Sequence, residues 1–527
     1  MNAVQTSTSR RRAIRLVLVG LLATSCATAK PPAPPTAPSS PVAPIATQAP
    51  ASAAAEPTTP DAPFRAEAPA PGPDPQFAVP VFKRFKLKNG LEVVLAEFHD
   101  LPLVDLNLFV KSGGGANPVD LAGLSEMTAN MLDEGTTTRP ALQLADEIAS
   151  LGANLATGSS WDASTVTLST LTKNLDAALA IWADVLLNPK FDEHEFTRVR
   201  DNVLTAITRR KDSPPTVASL ALARVLYGGR HPYGWPQSGV EETLKKLTTA
   251  DLKAFYDANY RPNNAVLIVA GDITEAALRR KLEPALKSWK PKKVVVRKLP
   301  TPATAAPGGK TRIHLIDKAE APQSSIRVGL IGIERLNPDY YPITLMNLIL
   351  GGGFYRLDLN LREGRGWTYG ARSSFDSRKT PGPFSAGGEF VAPHSADSVA
   401  EIIKEITTIR DSDVTDAELA RAKDQVIKSF PARFATRGAV VNQLAEIAVY
   451  GLPDNYLAEY TRKIAAVSKD DVRRVARRYL DPTRLSIIVV GDQKSLRDPL
   501  AKIAPVELRD LDANVVPSGA PAATKQD

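Results

Sequence analysis

The sequence predicts an α+β protein made of two homologous domains, each a mostly antiparallel sheet covered by helices. Three observations predict it. A repeat runs at an offset of 220 residues: Leu247-Thr248-Thr249-Ala250-Asp251-Leu252, Pro262 and the apolar run Ala265 to Ala270 ending Gly271-Asp272 answer to Val467-Ser468-Lys469-Asp470-Asp471-Val472, Pro482 and Leu485 to Val490 ending Gly491-Asp492. Chance similarity does not hold register over that distance. Within each copy, period-two alternation such as Val104, Leu106, Leu108 and Val110 stands beside long helical stripes, so a sheet covered by helices is expected. The ends of the chain are of different composition and lie outside both copies.

The elements follow in order. Arg10, Arg11, Arg12 and Arg15 precede an apolar run from Leu16 to Ala23, too short to span a bilayer and patterned as a secretory signal. It leads to Cys26, the only cysteine of the chain, so the mature protein forms no internal disulfide. A lone cysteine there resembles a bacterial lipoprotein signal spanning residues 1–26, with Cys26 acylated; cleavage after Ala27-Thr28-Ala29 is the alternative. Ala27 after the cysteine implies outer-membrane sorting, with the protein facing the periplasm. Residues 27–77 are rich in Pro, Ala, Ser and Thr and read as an extended tether. The first domain is expected over 78–300, the second over 311–510, and a disordered tail over 511–527. The formal charge of +8 includes the four signal arginines, which leaves about +4 on the mature chain. No basic run is interleaved with aromatics, so nucleic acid is not an expected partner.

In the first domain, Leu121, Leu124, Met127, Met131 and Leu132 recur at helical spacing after Asn117-Pro118 and predict a half-buried helix. Glu126, Ala129 and Asn130 then share one face. A second helix opens at Asp192-x-x-Glu195, a capping-box pattern, with Phe196, Val199, Val203 and Ile207 as its stripe. The matching opening in the second copy is Thr415-x-x-Glu418. The five histidines show no ligand spacing.

The segment Gly123-Leu124-Ser125-Glu126-Met127-Thr128-Ala129-Asn130-Met131-Leu132-Asp133-Glu134-Gly135-Thr136 resembles the inverted zinc motif His-x-x-Glu-His of the pitrilysin (insulinase-like) peptidases. On that alignment Glu126 and Asn130 occupy the two His positions, Ala129 that of the general base, and Ala206 that of the third ligand. Catalytic zinc needs three protein ligands, an open position for water and a nearby carboxylate base. One carboxylate does not supply them, so no metal is expected in this chain.

The second copy resembles the family differently. Leu350-Gly351-Gly352-Gly353 leads to Leu361-Arg362-Glu363 and Trp367-Thr368-Tyr369-Gly370. The resemblance implies that Arg362 and Tyr369 bind the substrate backbone and the developing oxyanion. Taken singly, Arg362 reads as a surface arginine and Tyr369 as a strand residue packing the core. Gly351, Gly352 and Gly353 read either as a substrate-facing loop or as a turn between helices. The resemblance implies a non-catalytic subunit pairing with a zinc-bearing homologue around unfolded peptide. A scaffold without proteolytic role and an unconventional metallohydrolase centred on Glu126 are the alternatives.

Overall fold

The computed structural model describes residues 77–305 and 309–516. The signal-type segment, Cys26, nearly all of the tether and residues 517–527 lie outside the described residues. Two six-stranded sheets form the framework. The first has the order β1 (Lys83–Lys86), β2 (Glu92–Glu97), β6 (Ala265–Gly271), β3 (Leu103–Val110), β5 (Ser164–Leu171) and β4 (Asn154–Ser159). The second has the order β12 (Val506–Arg509), β7 (Arg312–Asp317), β11 (Ser486–Gly491), β8 (Gln323–Ile331), β10 (Pro383–Val391) and β9 (Thr368–Phe375). Most pairings are antiparallel. The exceptions are β2 with β6, β7 with β11, and β12 with β7.

The repeat is visible element by element. β2 and β7 begin at Glu92 and Arg312, β3 and β8 at Leu103 and Gln323, and the helices Thr249–Asn259 and Lys469–Tyr479 keep the same spacing. Both of those helices carry complete capping boxes, Thr248 with Asp251 and Ser468 with Asp471. The copies differ at one outer edge: β1 joins β2 as a hairpin, whereas β12 joins β7 in parallel.

Alternation decides which face each strand offers to which core. Val104, Leu106, Leu108 and Val110 are fully buried while their neighbours on β3 are half-buried. Every residue of β6 is buried, because the strand is covered on both faces. Ala265, Leu267 and Val269 join the core under the helices Leu175–Leu187 and Thr249–Asn259; Val266, Ile268 and Ala270 join Val440, Val441 and Leu444 from the helix Arg437–Tyr450 of the other repeat. Reciprocally, Val217, Ala218 and Leu222 of the helix Pro214–Tyr227 pack on Ile488 and Val490 of β11. The repeats therefore exchange a helix, and each sheet owes one of its covered faces to the other copy. Both belong to one compact unit.

Three local expectations need correction. The helix predicted from Asn117-Pro118 breaks into a 3-10 turn, Val119–Leu121, and an α-helix, Leu124–Asn130. Gly123 causes the break: its φ of +99° is left-handed, and a Cβ there would lie 3.0 Å from Leu244. Asn117 Oδ1 still caps the shortened helix, accepting from Ser125 N at 3.0 Å. Asp192 accepts from the amides of His194 and Glu195, but Glu195 binds Arg198 instead of closing the capping box. Thr415 and Glu418 do close theirs. Finally, Leu511–Val516 does not belong to a disordered tail: Ala513 is buried, and Arg509 bridges Val515.

Candidate functional site

The fold brings Glu126, Asn130 and Ala206 together. They line a cavity of about 600 Å³ between the helices Leu124–Asn130 and Glu193–Arg210, beside the edge strand β4, which contributes Thr157. Ala129, one turn from Glu126, does not reach the cavity and is completely buried. Ala206 on the facing helix is exposed to the cavity and offers no donor atom.

The remaining wall is polar. Burial pushes the Glu126 carboxyl above its ordinary range, opposed by the nearby Arg210. The Arg210 guanidinium is held by Ser238 Oγ at 3.1 Å and Gly239 O at 3.0 Å. Burial likewise raises Asp133, which accepts from Thr157 Oγ1 at 3.1 Å. Glu134 pairs with Arg198. A zinc ion does not fit this set: the cavity offers a carboxylate and a carboxamide where the motif has two imidazoles and an alanine, Ala206, where it has the third ligand, and the position of the base is the enclosed Ala129. Among the described residues, no cluster of three or more His, Cys, Asp or Glu is placed to hold a metal ion.

The second copy presents a different surface. The helix Tyr340–Gly351 ends against β9, where a Cβ on Gly351 would meet Ser373 N at 2.4 Å, and Gly353 follows with a φ of +85°. The three glycines thus turn the chain between two helices. Phe354 has a φ of +53° and an exposed ring, a conformation costing about 1–3 kcal/mol for a bulky residue. Beyond it lies a π-helical turn, Leu359–Gly364, a form that recurs at functional sites. This turn carries Arg362, whose guanidinium carbon lies 5.5 Å from the Phe354 ring centroid. Arg362 is half-exposed, with Glu363 at 3.3 Å and Asp358 at 4.0 Å.

Tyr369 is 91% exposed. The pairing of β9 with β10 explains this. Thr368 stands opposite Phe390 and Ala371 opposite Gly388, so Tyr369 and Gly370 share the single partner Glu389 in a β-bulge. Thr368 Oγ1 fixes the bulge by donating to Glu389 O at 2.6 Å and accepting from Gly370 N at 3.1 Å. Buried Asp358 ties the pieces together, accepting from Phe354 N at 3.1 Å and Ala371 N at 3.0 Å. Asp358, Phe354 and the bulge were not singled out by motif, although all lie in the segment that carries Arg362 and Tyr369. Asp133 and Arg210 were missed because neither stands at a ligand position.

Residues 92–231 match the family model described as insulinase, peptidase family M16. Residues 246–426 match the model described as the peptidase M16 inactive domain. The chain belongs to the pitrilysin, or M16, peptidase family. It is 24% identical over 402 residues to an uncharacterized zinc protease, YmxG, of Bacillus subtilis, covering 75% of this chain and 95% of that one. A non-peptidase homolog, also YmxG, from Helicobacter pylori is 24% identical over 407 residues, covering 76% and 92%. Among solved structures, the peptidase M16 inactive domain from Pseudomonas fluorescens superposes with a TM-score of 0.72 at 27% identity, covering 78% of this chain and 98% of that one.

Proposed function

We propose that this M16 chain is the non-catalytic subunit of a two-chain peptidase. It pairs with a zinc-bearing homologue of similar size, closes a chamber around unfolded peptide, and supplies Arg362 and Tyr369 to the substrate. The carrying observation is the display of Tyr369: a bulge fixed by Thr368 turns its ring out of the sheet, on the strand that adjoins the π-helical turn bearing Arg362. A ring with a purely structural role would lie in the core. The cavity around Glu126, Asn130 and Ala206 lacks the donors for hydrolysis by this chain alone.

On this reading the partner brings the metal. The Arg362 guanidinium, a charged fork, and the Tyr369 hydroxyl, a neutral donor, hold the peptide backbone and the oxygen on which charge develops. Preorganised donors of this kind are worth about 100- to 1,000-fold in rate each. The peptide adds as a strand to a sheet edge, largely on the partner, and the glycine turn at Gly351–Gly353 sets the approach of Phe354 and Arg362. The N-terminal pattern supports export and anchoring through an acylated Cys26, with the body facing the periplasm from the outer membrane.

Peptide hydrolysis by the purified protein, alone and mixed with a zinc-motif homologue encoded beside it, tests the proposal. Activity is expected only in the mixture, falling about a hundredfold or more with Arg362→Ala plus Tyr369→Phe. Zinc-dependent activity from this chain alone would overturn the reading of Glu126, Ala129, Asn130 and Ala206. Complex formation with full activity in the double variant would leave a scaffold role.

A further inference from the structure

The connection between the two repeats begins Lys290-Pro291-Lys292-Lys293-Val294-Val295-Val296-Arg297-Lys298. Five of these nine residues are cationic, and among the described residues none of the five forms an ion pair with a carboxylate. The segment is fastened at both ends. Trp289 is buried, its indole donating to Tyr260 O at 2.9 Å, and Leu299 packs against the core that the exchanged helix Pro214–Tyr227 forms with β11. Asn263 clamps Lys292 through its amide and carbonyl at 3.1 and 3.0 Å. Between these points Lys293–Lys298 joins neither a helix nor a strand. Val295 and Val296 are 75% and 89% exposed.

Such a run of valines is costly to leave in water unless something covers it. Its flanks state the charge of the cover. Behind the segment lies a groove of about 700 Å³ to which Lys111 and Lys379 add two more cations. Neither of the two carboxylates that line the groove, Asp162 and Asp251, forms an ion pair with a cation of the segment. Asp162 accepts from Tyr450 Oη and Lys379 N, both at 3.1 Å, and Asp251 accepts from Thr248 N at 3.0 Å. The segment therefore presents exposed cations without an ion-pair partner among the described residues on both sides of an apolar centre.

We propose that Lys290–Lys298 is a docking strap for anionic phospholipid headgroups. A protein partner would need complementary pockets at fixed positions. A bilayer surface needs only what the strap provides, cations at headgroup depth flanking apolar side chains that reach the acyl boundary. Lys292 and Lys293 on one side, and Arg297 and Lys298 on the other, meet lipid phosphates while Val295 and Val296 dip below them. The body would then rest on the membrane in one orientation, however it is tethered.

The test uses the mature full chain carrying Cys26→Ser, so that acyl groups cannot supply the binding. Cosedimentation is measured with vesicles of neutral phosphatidylcholine and with vesicles containing phosphatidylglycerol. Binding is expected only to the anionic vesicles, lost at high salt, and reduced about a hundredfold or more by Lys293→Glu, Arg297→Glu and Lys298→Glu together. The changed side chains are exposed, so an unaltered circular dichroism spectrum certifies the fold. Equal binding to neutral vesicles, or insensitivity to the triple change, would overturn the proposal. So would a thermal shift by inorganic phosphate without vesicle binding, which marks a free-anion site, or strap-dependent retention on an acidic protein without vesicle binding.

Discussion

Asp162 is a polar joint between the two repeats, and its removal has a calculable cost. It sits in the turn between β4 and β5 and is 6% exposed. Its Oδ2 accepts from Tyr450 Oη and Lys379 N, both at 3.1 Å and both from the second repeat; Tyr233 Oη lies at 3.4 Å from Oδ1. Two hydrogen bonds to a charged acceptor are worth about 3–6 kcal/mol together, and the longer Tyr233 contact adds little. Asp162→Ala also relieves the burial of the carboxylate, which brings the expected loss to about 3 kcal/mol. Urea unfolding of Asp162→Ala, Tyr450→Phe and the double variant forms a cycle whose coupling is expected at about 1–2 kcal/mol. A coupling below about 0.5 kcal/mol would refute the joint. Because the exchanged helices give both sheets a shared core, wild type and variants should each unfold in one transition. Two separated transitions in the wild type would refute that part.

Tyr369→Ala should leave the melting temperature unchanged, since the ring is almost fully exposed, with stability moving by less than about 0.5 kcal/mol in urea titration. Glu126→Gln should stabilise the chain at neutral pH. The wild-type carboxyl titrates above its ordinary 4.5 when folded, so the native state loses stability as pH rises past 4.5, and the advantage of the variant should vanish below that value in melts across the pH range. Arg356→Met should show the opposite slope. Arg356 holds Glu418 down at about 2, so the stability it contributes is present above 4.5 and fades as pH falls toward 2. Ala129→Glu should destabilise by about 3 kcal/mol or more in urea, because it places a carboxylate at a fully enclosed position; Ala206→Glu, facing the cavity, should be tolerated in the same assay.

Much of the frame was legible because it depends on local pattern. The alternation of Val104 to Val110 and the matching caps at Thr248 and Ser468 are written in short stretches of sequence, and the repeat needed only that two such stretches be compared. The helix exchange was not legible. It rests on contacts such as Arg437 Nε to Asp105 Oδ2 at 2.8 Å, between residues more than three hundred positions apart, and either repeat alone would satisfy the same hydrophobic pattern. The early helix start was misread because the apolar spacing runs through Gly123 without showing the left-handed turn there. Tyr369 illustrates the same limit. In an unbroken strand it shares a face with Ala371 and Ser373, both buried, so periodicity places its ring in the core. One extra residue opposite Glu389 reverses that.

That reversal also separates the two edges that the repeat made equivalent. β4 pairs with β5 in unbroken register from Asn154 opposite Ser169 to Ser159 opposite Ser164, and beside it lies the cavity from which zinc ligands are missing. β9 occupies the corresponding edge of the second sheet, and there the ladder is broken. An aromatic ring raised on an edge strand is a liability to an isolated protein, since unpaired backbone and exposed apolar surface together invite association. The second repeat nevertheless invests in the display. Thr368 and Asp358 fix the backbone on either side of Tyr369, Phe354 holds a costly φ, and the adjoining π-helical turn carries Arg362. Buried Asp358 holds both the strained Phe354 and the strand after Tyr369 through the amides of Phe354 and Ala371. On the proposed reading, what the first repeat lost as chemistry the second retains as recognition, and the exposed edge is covered when the zinc-bearing partner and its peptide arrive.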